Sequence, residues 1–364
     1  MRKVVFITPS LRGGGAERVV VNLLRHMNRS EIELTLITLK LEGPYVSQLP
    51  ADTQVVDLGT KRVRHSIVRL LREINRIRPD VVFSTLGHLN VALLALRPFM
   101  KKRPKIVLRE ANAPSFSMRQ TGKGGLYRLL YRLFYPKADR VIALSQGMAE
   151  DLLAYSGMPR DKVSIIHNPV VTEEIRRLAD EEVDHPWLRD KMLPVCISVG
   201  RLVEQKNYDL LLRGFAKAIQ AVPARLIVLG EGPKRSHLEA LADTVGVREH
   251  VDFVGFTANP YAYMARSDLF VLSSSWEGMP NVLLEALAVG LPAVATACIG
   301  VPDVLDGGRY GIMIPIGGEE ELAQAIISSL GEGAEADRQR QRERAGQFHI
   351  DIIAGEYREV LTSV

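Results

Sequence analysis

Short runs of β-branched and aliphatic residues alternate along the chain with stretches whose apolar positions recur every three or four residues. The runs cover residues 4–8, 34–38, 55–58, 81–84, 106–108 and 141–144. After a gap the pattern restarts at 195–199, 226–229, 251–254, 269–272 and 292–295. Apolar residues at consecutive rather than alternate positions predict strands buried on both faces, and the helical stretches between them supply the covering layers. The pattern predicts an α/β protein with doubly wound parallel sheets. It breaks at Asn168-Pro169 and stays polar to about Leu193, so 168–193 reads as a linker. Two Rossmann-like domains are predicted, 1–170 and 171–349, facing across a cleft, with ligands expected beyond the carboxyl ends of the strands. The arginine-rich stretch 338–344 reads as a solvated helix face.

A chain of 364 residues with 46% hydrophobic and 24% charged residues is an ordinary globular protein, which excludes disordered, collagen-like and coiled-coil architectures. Cys196 and Cys298 both lie in apolar stretches and read as buried free thiols in a reducing cytosol. The longest weakly polar run, 282–301, is interrupted by Glu285, Gly290 and Pro292, and predicts no membrane span. The first residues read as a strand rather than a signal peptide. Net charge is only +5, but residues 1–170 hold 28 Lys+Arg against 13 Asp+Glu, whereas the remainder holds 19 against 29. Residues 61–140 carry most of the excess, 19 basic against 4 acidic, which implies an anionic partner: a membrane surface, a phosphorylated substrate or nucleic acid.

Three strand-end loops carry candidate chemistry. In Ser273–Ala286, Pro280 suits a first helical turn, Glu277 falls in the loop and Glu285 more than a turn into the helix. The backbone of Gly278, Met279, Asn281 and Val282 then forms a positive helix pole that suits a phosphate, while the two carboxylates suit sugar hydroxyls. Taken alone, the two glutamates also fit an ordinary helix N-terminus. In Ser198–Asn207, Arg201 and Lys206 leave a strand end just after Gly200, where a diphosphate would need two cations; two solvated loop cations are the plainer alternative. In Leu11–Arg18, Gly13, Gly14 and Gly15 allow a close backbone approach ahead of a helix, or make a purely structural turn. The spacing fits neither G-x-G-x-x-G nor a Walker loop.

With these motifs the chain resembles family 4 of the retaining glycosyltransferases, which have the two-domain GT-B fold. The resemblance spans essentially the whole length. It rests on Gly14-Gly15-Ala16-Glu17-Arg18, on Gly200-Arg201 with Lys206, on Gly230-Glu231-Gly232-Pro233 and on Val254-Gly255-Phe256. Glu277 with Glu285, then Gly290-Leu291-Pro292, complete the set. The resemblance implies a nucleotide-sugar donor, with UDP preferred, held mainly by the second domain. Arg201 and Lys206 would neutralise the diphosphate, Glu285 would bind ribose hydroxyls, Glu277 would touch the donor sugar, and Phe256 would lie near the base. Gly14 and Gly15 would approach the diphosphate from the first domain, and helix 350–364 would pack back on that domain. Family members generally need no metal ion, in keeping with the absence of an Asp-x-Asp motif, and no cofactor is implied beyond the donor as substrate.

Many relatives carry a histidine after the strand corresponding to 106–108. Here the stretch is Arg109-Glu110-Ala111-Asn112, so Glu110 or Asn112 could contact the sugar or acceptor instead. His88 also ends a strand, and reads equally as a plain loop histidine. At 61–78, Val63, Ile67, Leu70, Leu71, Ile74 and Ile77 recur at helical spacing, with Arg62, Arg69, Arg72 and Arg76 largely opposite. Lys101, Lys102 and Arg103 follow Phe99, and Arg128 and Arg132 lie among leucines and aromatics. Such mixtures suit anionic lipid headgroups, although core-facing helices with solvated backs would look the same.

The expectation is therefore a transferase docked on the inner face of the cell membrane that acts on a lipid-linked, polyprenyl-diphosphate saccharide. A soluble acceptor and a nucleotide-sugar 2-epimerase are the nearer alternatives. A nucleic-acid-binding protein is the distant one, since only 6% of residues are aromatic and no recognition motif is visible.

Overall fold

Strand formation follows the consecutive apolar runs closely. The computed structural model describes residues 1–12, 14–60, 63–119, 124–331 and 338–364, so the Gly13 and Arg62 expectations lie outside the described residues. The chain divides into two units, Met1–Val170 with Ile350–Val364, and Val171–His349.

In the first unit the strands are β1 (Arg2–Thr8), β2 (Ile32–Thr38), β3 (Gln54–Asp57), β4 (Val81–Ser84), β5 (Lys105–Arg109), β6 (Arg140–Ala143) and β7 (Val163–Ile165). They form one parallel sheet in the order β3-β2-β1-β4-β5-β6-β7. Val4, Phe6, Phe83 and Val107 pack on one face with Val20, Leu23 and Leu24 of helix Gly15–His26. The terminal helix Ile350–Ser363 closes that layer. Its Ile353, Tyr357 and Leu361 are buried, Tyr357 meets Phe83 edge-on, and Arg2 donates to the carbonyls of Leu361 and Val364.

The second unit has β8 (Val195–Val199), β9 (Arg225–Leu229), β10 (Val251–Gly255), β11 (Leu269–Leu272), β12 (Ala293–Thr296) and β13 (Ile312–Ile314), all parallel, in the order β10-β9-β8-β11-β12-β13. The order reverses direction between β8 and β11, as it does between β1 and β4 in the first unit, and such a switch point opens a crevice at the strand ends.

Two segments differ in character from the sequence reading. The polar stretch after Val170 is bonded into the second unit: it carries helices Glu173–Ala179 and Pro186–Arg189, Asn259 Nδ2 donates to Leu178 O at 2.8 Å, and buried His185 meets Asp252 at 3.1 Å. Helix Arg338–Gly346 is a solvated face only in part: Gln339, Arg340, Arg342 and Glu343 are exposed, while Gln341 and Ala345 are buried. Arg338 donates to Ser267 O at 2.8 Å, Arg342 to Val289 O at 3.4 Å and Arg344 to Val304 O at 3.0 Å, so its guanidinium groups satisfy carbonyls where neighbouring helices end. Among the described residues no helix is long and apolar enough to cross a membrane.

Candidate active site

The carboxyl ends of β8 to β11 bring their loops into register. Gly200 N donates to Leu229 O at 2.9 Å, Leu202 N to Glu231 O at 3.0 Å and Gly230 N to Gly255 O at 2.7 Å. Gly230 sits at φ +143°, and a Cβ there would stand 2.0 Å from Gly200 O, so a residue without a side chain is what lets the loops lie this close.

The loop after β8 is tied to the loop after β11 by both backbone and side chains. Ser275 N donates to Gln205 O at 2.8 Å, Ser273 Oγ to Lys206 O at 2.9 Å, and Gln205 Nε2 to Trp276 O at 2.9 Å. Lys206 Nζ lies 2.7 Å from Glu277 Oε1, and Ser274 Oγ donates to the same oxygen at 2.9 Å. Glu277 is 8% exposed and Glu285 5%. Arg201 is exposed and makes no side-chain hydrogen bond or ion pair among the described residues, which leaves its guanidinium available for an anion. Phe256 is 81% exposed just beyond β10, an apolar ring offered to whatever approaches the strand ends.

Helix Asn281–Ala288 starts one residue later than the proline rule suggests. Pro280 is its N-cap rather than a first-turn residue, and Leu283 N donates to Pro280 O at 3.1 Å. Gly278, Met279 and Pro280 are buried, Asn281 and Val282 half-buried, and Glu285 lies on the fifth residue of the helix. A Cβ on Gly300 would fall 1.9 Å from Gly278 O, so the loop after β12 presses directly on this turn.

In the first unit Gly14 caps helix Gly15–His26, both glycines are exposed, and Arg18 N donates to Gly14 O at 3.0 Å. Beyond β5 the structure puts Glu110 and Asn112 in opposite settings. Asn112 is exposed. Glu110 is buried, and its carboxylate accepts from the Tyr135 hydroxyl, from Asn90 Nδ2 at 3.0 Å and, more weakly, from the Tyr131 hydroxyl at 3.4 Å. Burial pushes the Glu110 carboxyl up to about 7, against the opposing pull of those donors and of neighbouring Arg109. This cluster was not visible as a unit in the sequence, although two tyrosines four apart, Tyr131 in helix Gly124–Phe134 and Tyr135 just past its end, were a usable signal. His88 is exposed in the first turn of helix Gly87–Leu96.

The basic positions are exposed, in two kinds. Arg69 donates to Leu58 O, Arg76 pairs with Glu73 and Lys102 with Asp80. Arg72, Lys101, Arg103, Arg128 and Arg132 are exposed without an ion pair among the described residues. On helix Gly124–Phe134, Leu126, Leu129 and Leu133 are 54%, 63% and 54% exposed beside Arg128 and Arg132, while Tyr131 on the other face is buried.

Comparison with known proteins then defines the class. Residues 193–332 match the family described as glycosyl transferases group 1, and residues 13–174 match glycosyltransferase family 4. The chain is 30% identical over 341 residues to the N-acetylgalactosamine-N,N'-diacetylbacillosaminyl-diphospho-undecaprenol 4-alpha-N-acetylgalactosaminyltransferase of Campylobacter jejuni, covering 91% of this chain and 90% of that protein. It is 28% identical over 364 residues to the lipopolysaccharide core biosynthesis glycosyltransferase LpsE of Rhizobium meliloti, covering 97% of each. HepE of Anabaena, solved with UDP-glucose, superposes with a TM-score of 0.80 at 20% identity over 100% of both chains. WaaG, a glycosyltransferase involved in lipopolysaccharide biosynthesis, gives 0.76 at 18%, covering 99% of this chain and 100% of that one. The fold is GT-B, and the chain belongs to glycosyltransferase family 4.

Proposed function

We propose that the protein is a retaining hexosyltransferase. It moves a hexose or N-acetylhexosamine from a nucleotide diphosphate sugar, with UDP as the nucleotide, to a lipid-linked polyprenyl-diphosphate saccharide in surface glycan assembly. The observation that carries this reading is the stitching of the β8 and β11 loops, which sets Lys206 and Glu277 side by side at the strand ends of a family 4 protein. Arg201 and Lys206 hold the diphosphate, Glu285 the ribose hydroxyls, Glu277 the sugar, and Phe256 packs near the base. As the bond from the anomeric carbon to the diphosphate breaks and the acceptor oxygen bonds on the same face, the acceptor's hydroxyl proton passes to a leaving diphosphate oxygen, and negative charge grows on the departing UDP. Lys206, held in place by Glu277, and the pole of helix Asn281–Ala288 stabilise that charge with little reorganisation, and Arg201 adds a second cation. The sequence has no Asp-x-Asp motif, so this reading assigns leaving-group stabilisation to side chains and names no cofactor or metal ion.

The acceptor assignment draws on the undecaprenol named for the Campylobacter relative and on the exposed leucine stripe beside Arg128 and Arg132. A patch that pairs apolar side chains with unneutralised cations suits an anionic bilayer surface, which would place the protein peripherally on the cytoplasmic face.

A thermal-shift panel of UDP-, GDP- and ADP-sugars tests the donor. At about 100 times Kd a UDP-sugar should stabilise the folded protein by about 2.7 kcal/mol. That gain should vanish in Arg201→Ala and Glu285→Ala. No stabilisation by any nucleotide sugar would overturn the reading. Epimerised product without acceptor would point to an epimerase, and turnover with a free saccharide but none with the lipid-linked one to a soluble acceptor.

A further inference from the structure

Behind Glu277 runs a line of buried polar side chains that the roles above do not use. Thr296, the last residue of β12, is fully buried, and its Oγ1 donates to Ser274 O at 2.6 Å. Cys298 Sγ reaches the same carbonyl at 3.0 Å. Ser274 is itself fully buried, so its single hydroxyl proton has no water to turn to and goes to Glu277 Oε1 at 2.9 Å. Lys206 Nζ occupies the same oxygen at 2.7 Å. Among the described residues the other oxygen, Oε2, has a single partner, Gln205 Nε2 at 3.5 Å, the outer limit of a hydrogen bond, while the other proton of that amide goes to Trp276 O at 2.9 Å. The carboxylate is thus saturated on one side and open on the other.

We propose that Ser274, clamped from behind by Thr296, is a positioning residue that locks the Glu277 carboxylate so that Oε2 is presented to a hydroxyl of the donor sugar. The inference rests on the proposed donor site and specifies how the sugar, as distinct from the nucleotide, is recognised. Two donors on one oxygen fix both the carboxylate plane and the side-chain rotamer. A carboxylate so fixed loses little further rotamer freedom when the sugar arrives, and its open lone pairs can accept from a sugar hydroxyl. Without the Ser274 hydroxyl, Glu277 keeps its charge and its Lys206 partner but can rotate about the remaining contact. Sugar recognition then suffers while diphosphate recognition does not.

The test separates those two parts of the ligand. Calorimetric titration of the full chain with UDP, and with UDP-glucose and UDP-N-acetylgalactosamine, gives the sugar's share of affinity as the ratio of the two constants. In Ser274→Ala, losing one charge-assisted hydrogen bond should weaken the better UDP-sugar about tenfold. UDP should stay within about twofold of wild type. Ser274→Thr, which restores a hydroxyl, should recover most of the loss, a recovery that a packing role for Ser274 would not give. Thr296→Val, close to isosteric and one step further back, should reproduce the selective loss in smaller measure, and it decides the matter if Ser274→Ala fails to fold. Equal weakening of UDP and UDP-sugar, or no weakening of either, overturns the positioning role. A wild-type protein that binds neither UDP-sugar overturns the donor reading beneath it, a different and separately visible result.

Discussion

The Lys206 ammonium and the Glu277 carboxylate meet at 2.7 Å with 18% and 9% of their side chains exposed, so each is the other's principal neutraliser in a nearly dry setting. A pair this covered is worth little against an apolar replacement, but losing one member strands the other's charge. Lys206→Met should therefore lower the unfolding free energy in urea by about 3 kcal/mol. Adding Glu277→Gln should recover a good part of that loss rather than add to it. Additive losses in the double variant would mean that the two groups are energetically independent.

Glu110 makes stability depend on pH in an unusual direction. Its carboxyl titrates at about 7 in the folded chain against an ordinary 4.5, because burial disfavours the charge. Between those values the folded state keeps a proton that the unfolded state has released, so stability falls as pH rises from about 4.5 to about 7, by on the order of 3 kcal/mol in all. Glu110→Gln, which stays neutral, should lack that decline. Melting curves from pH 4.5 to 8 should show the variant gaining on the wild type with rising pH. A constant difference between the two would refute the assignment.

Gly230 packs against the loop after β8, which is proposed to hold the donor. At φ +143°, with Gly200 O standing 2.0 Å from where a Cβ would go, Gly230→Ala must move the backbone on which Gly200 and Arg201 depend. The strain should cost about 1–3 kcal/mol in stability. It should also abolish the UDP-sugar thermal shift at concentrations that saturate the wild type. Gly346→Ala, with nothing within 4 Å of the added carbon, is the control.

Arg344 shows why arginine, and not merely a cation, is needed on helix Arg338–Gly346. It donates through Nε to Val304 O and through a terminal nitrogen to Asp303 O, while its planar group lies over Tyr310 and Phe348 at 5.4 and 4.9 Å. A lysine keeps the charge but cannot span both carbonyls and lie flat on two rings. Arg344→Lys should cost about 2 kcal/mol in urea unfolding. An equal stability for the lysine variant would reduce the contact to simple charge.

The sheets were legible because parallel strands buried on both faces must be apolar at every position. Hence Val4–Ile7 and Val195–Val199 stand out without any alignment. β7 and β13 escaped because each is a three-residue edge strand, too short for a pattern and, in β13, partly exposed. A solvated face describes the arginine-rich helix at Gln339, Arg340, Arg342 and Glu343 but not at Arg338 and Arg344, since composition says nothing of which carbonyls a guanidinium will find. Glycines and charged residues at strand ends marked the loops of the proposed donor site. What stitched those loops together (Gln205, Ser274 and Thr296) did not stand out, because a serine or threonine ending an apolar run looks the same whether its hydroxyl meets solvent or a buried carboxylate. Glu110 illustrates the converse: its position after β5 suggested an open site, and only the packing of Tyr131 and Tyr135 over it reveals a covered one.

Helix Gly124–Phe134 offers the sharpest check on the proposed lipid-facing surface, because its two ingredients should respond differently to salt. Basic residues near an anionic bilayer contribute about 1 kcal/mol each, so Arg128→Ala with Arg132→Ala should weaken binding to vesicles of phosphatidylcholine and phosphatidylglycerol roughly 30-fold at low ionic strength. Most of that difference should disappear at about 1 M salt, where the screening length shrinks to about 3 Å. Leu129, 63% exposed, would act instead by leaving water for the acyl boundary. Leu129→Ser, which removes the apolar side chain without adding charge, should therefore weaken flotation at both salt concentrations, by a factor that barely changes between them. A wild-type chain that does not float at low salt, or variants whose losses follow neither pattern, would remove the bilayer from the account while leaving the donor site untouched.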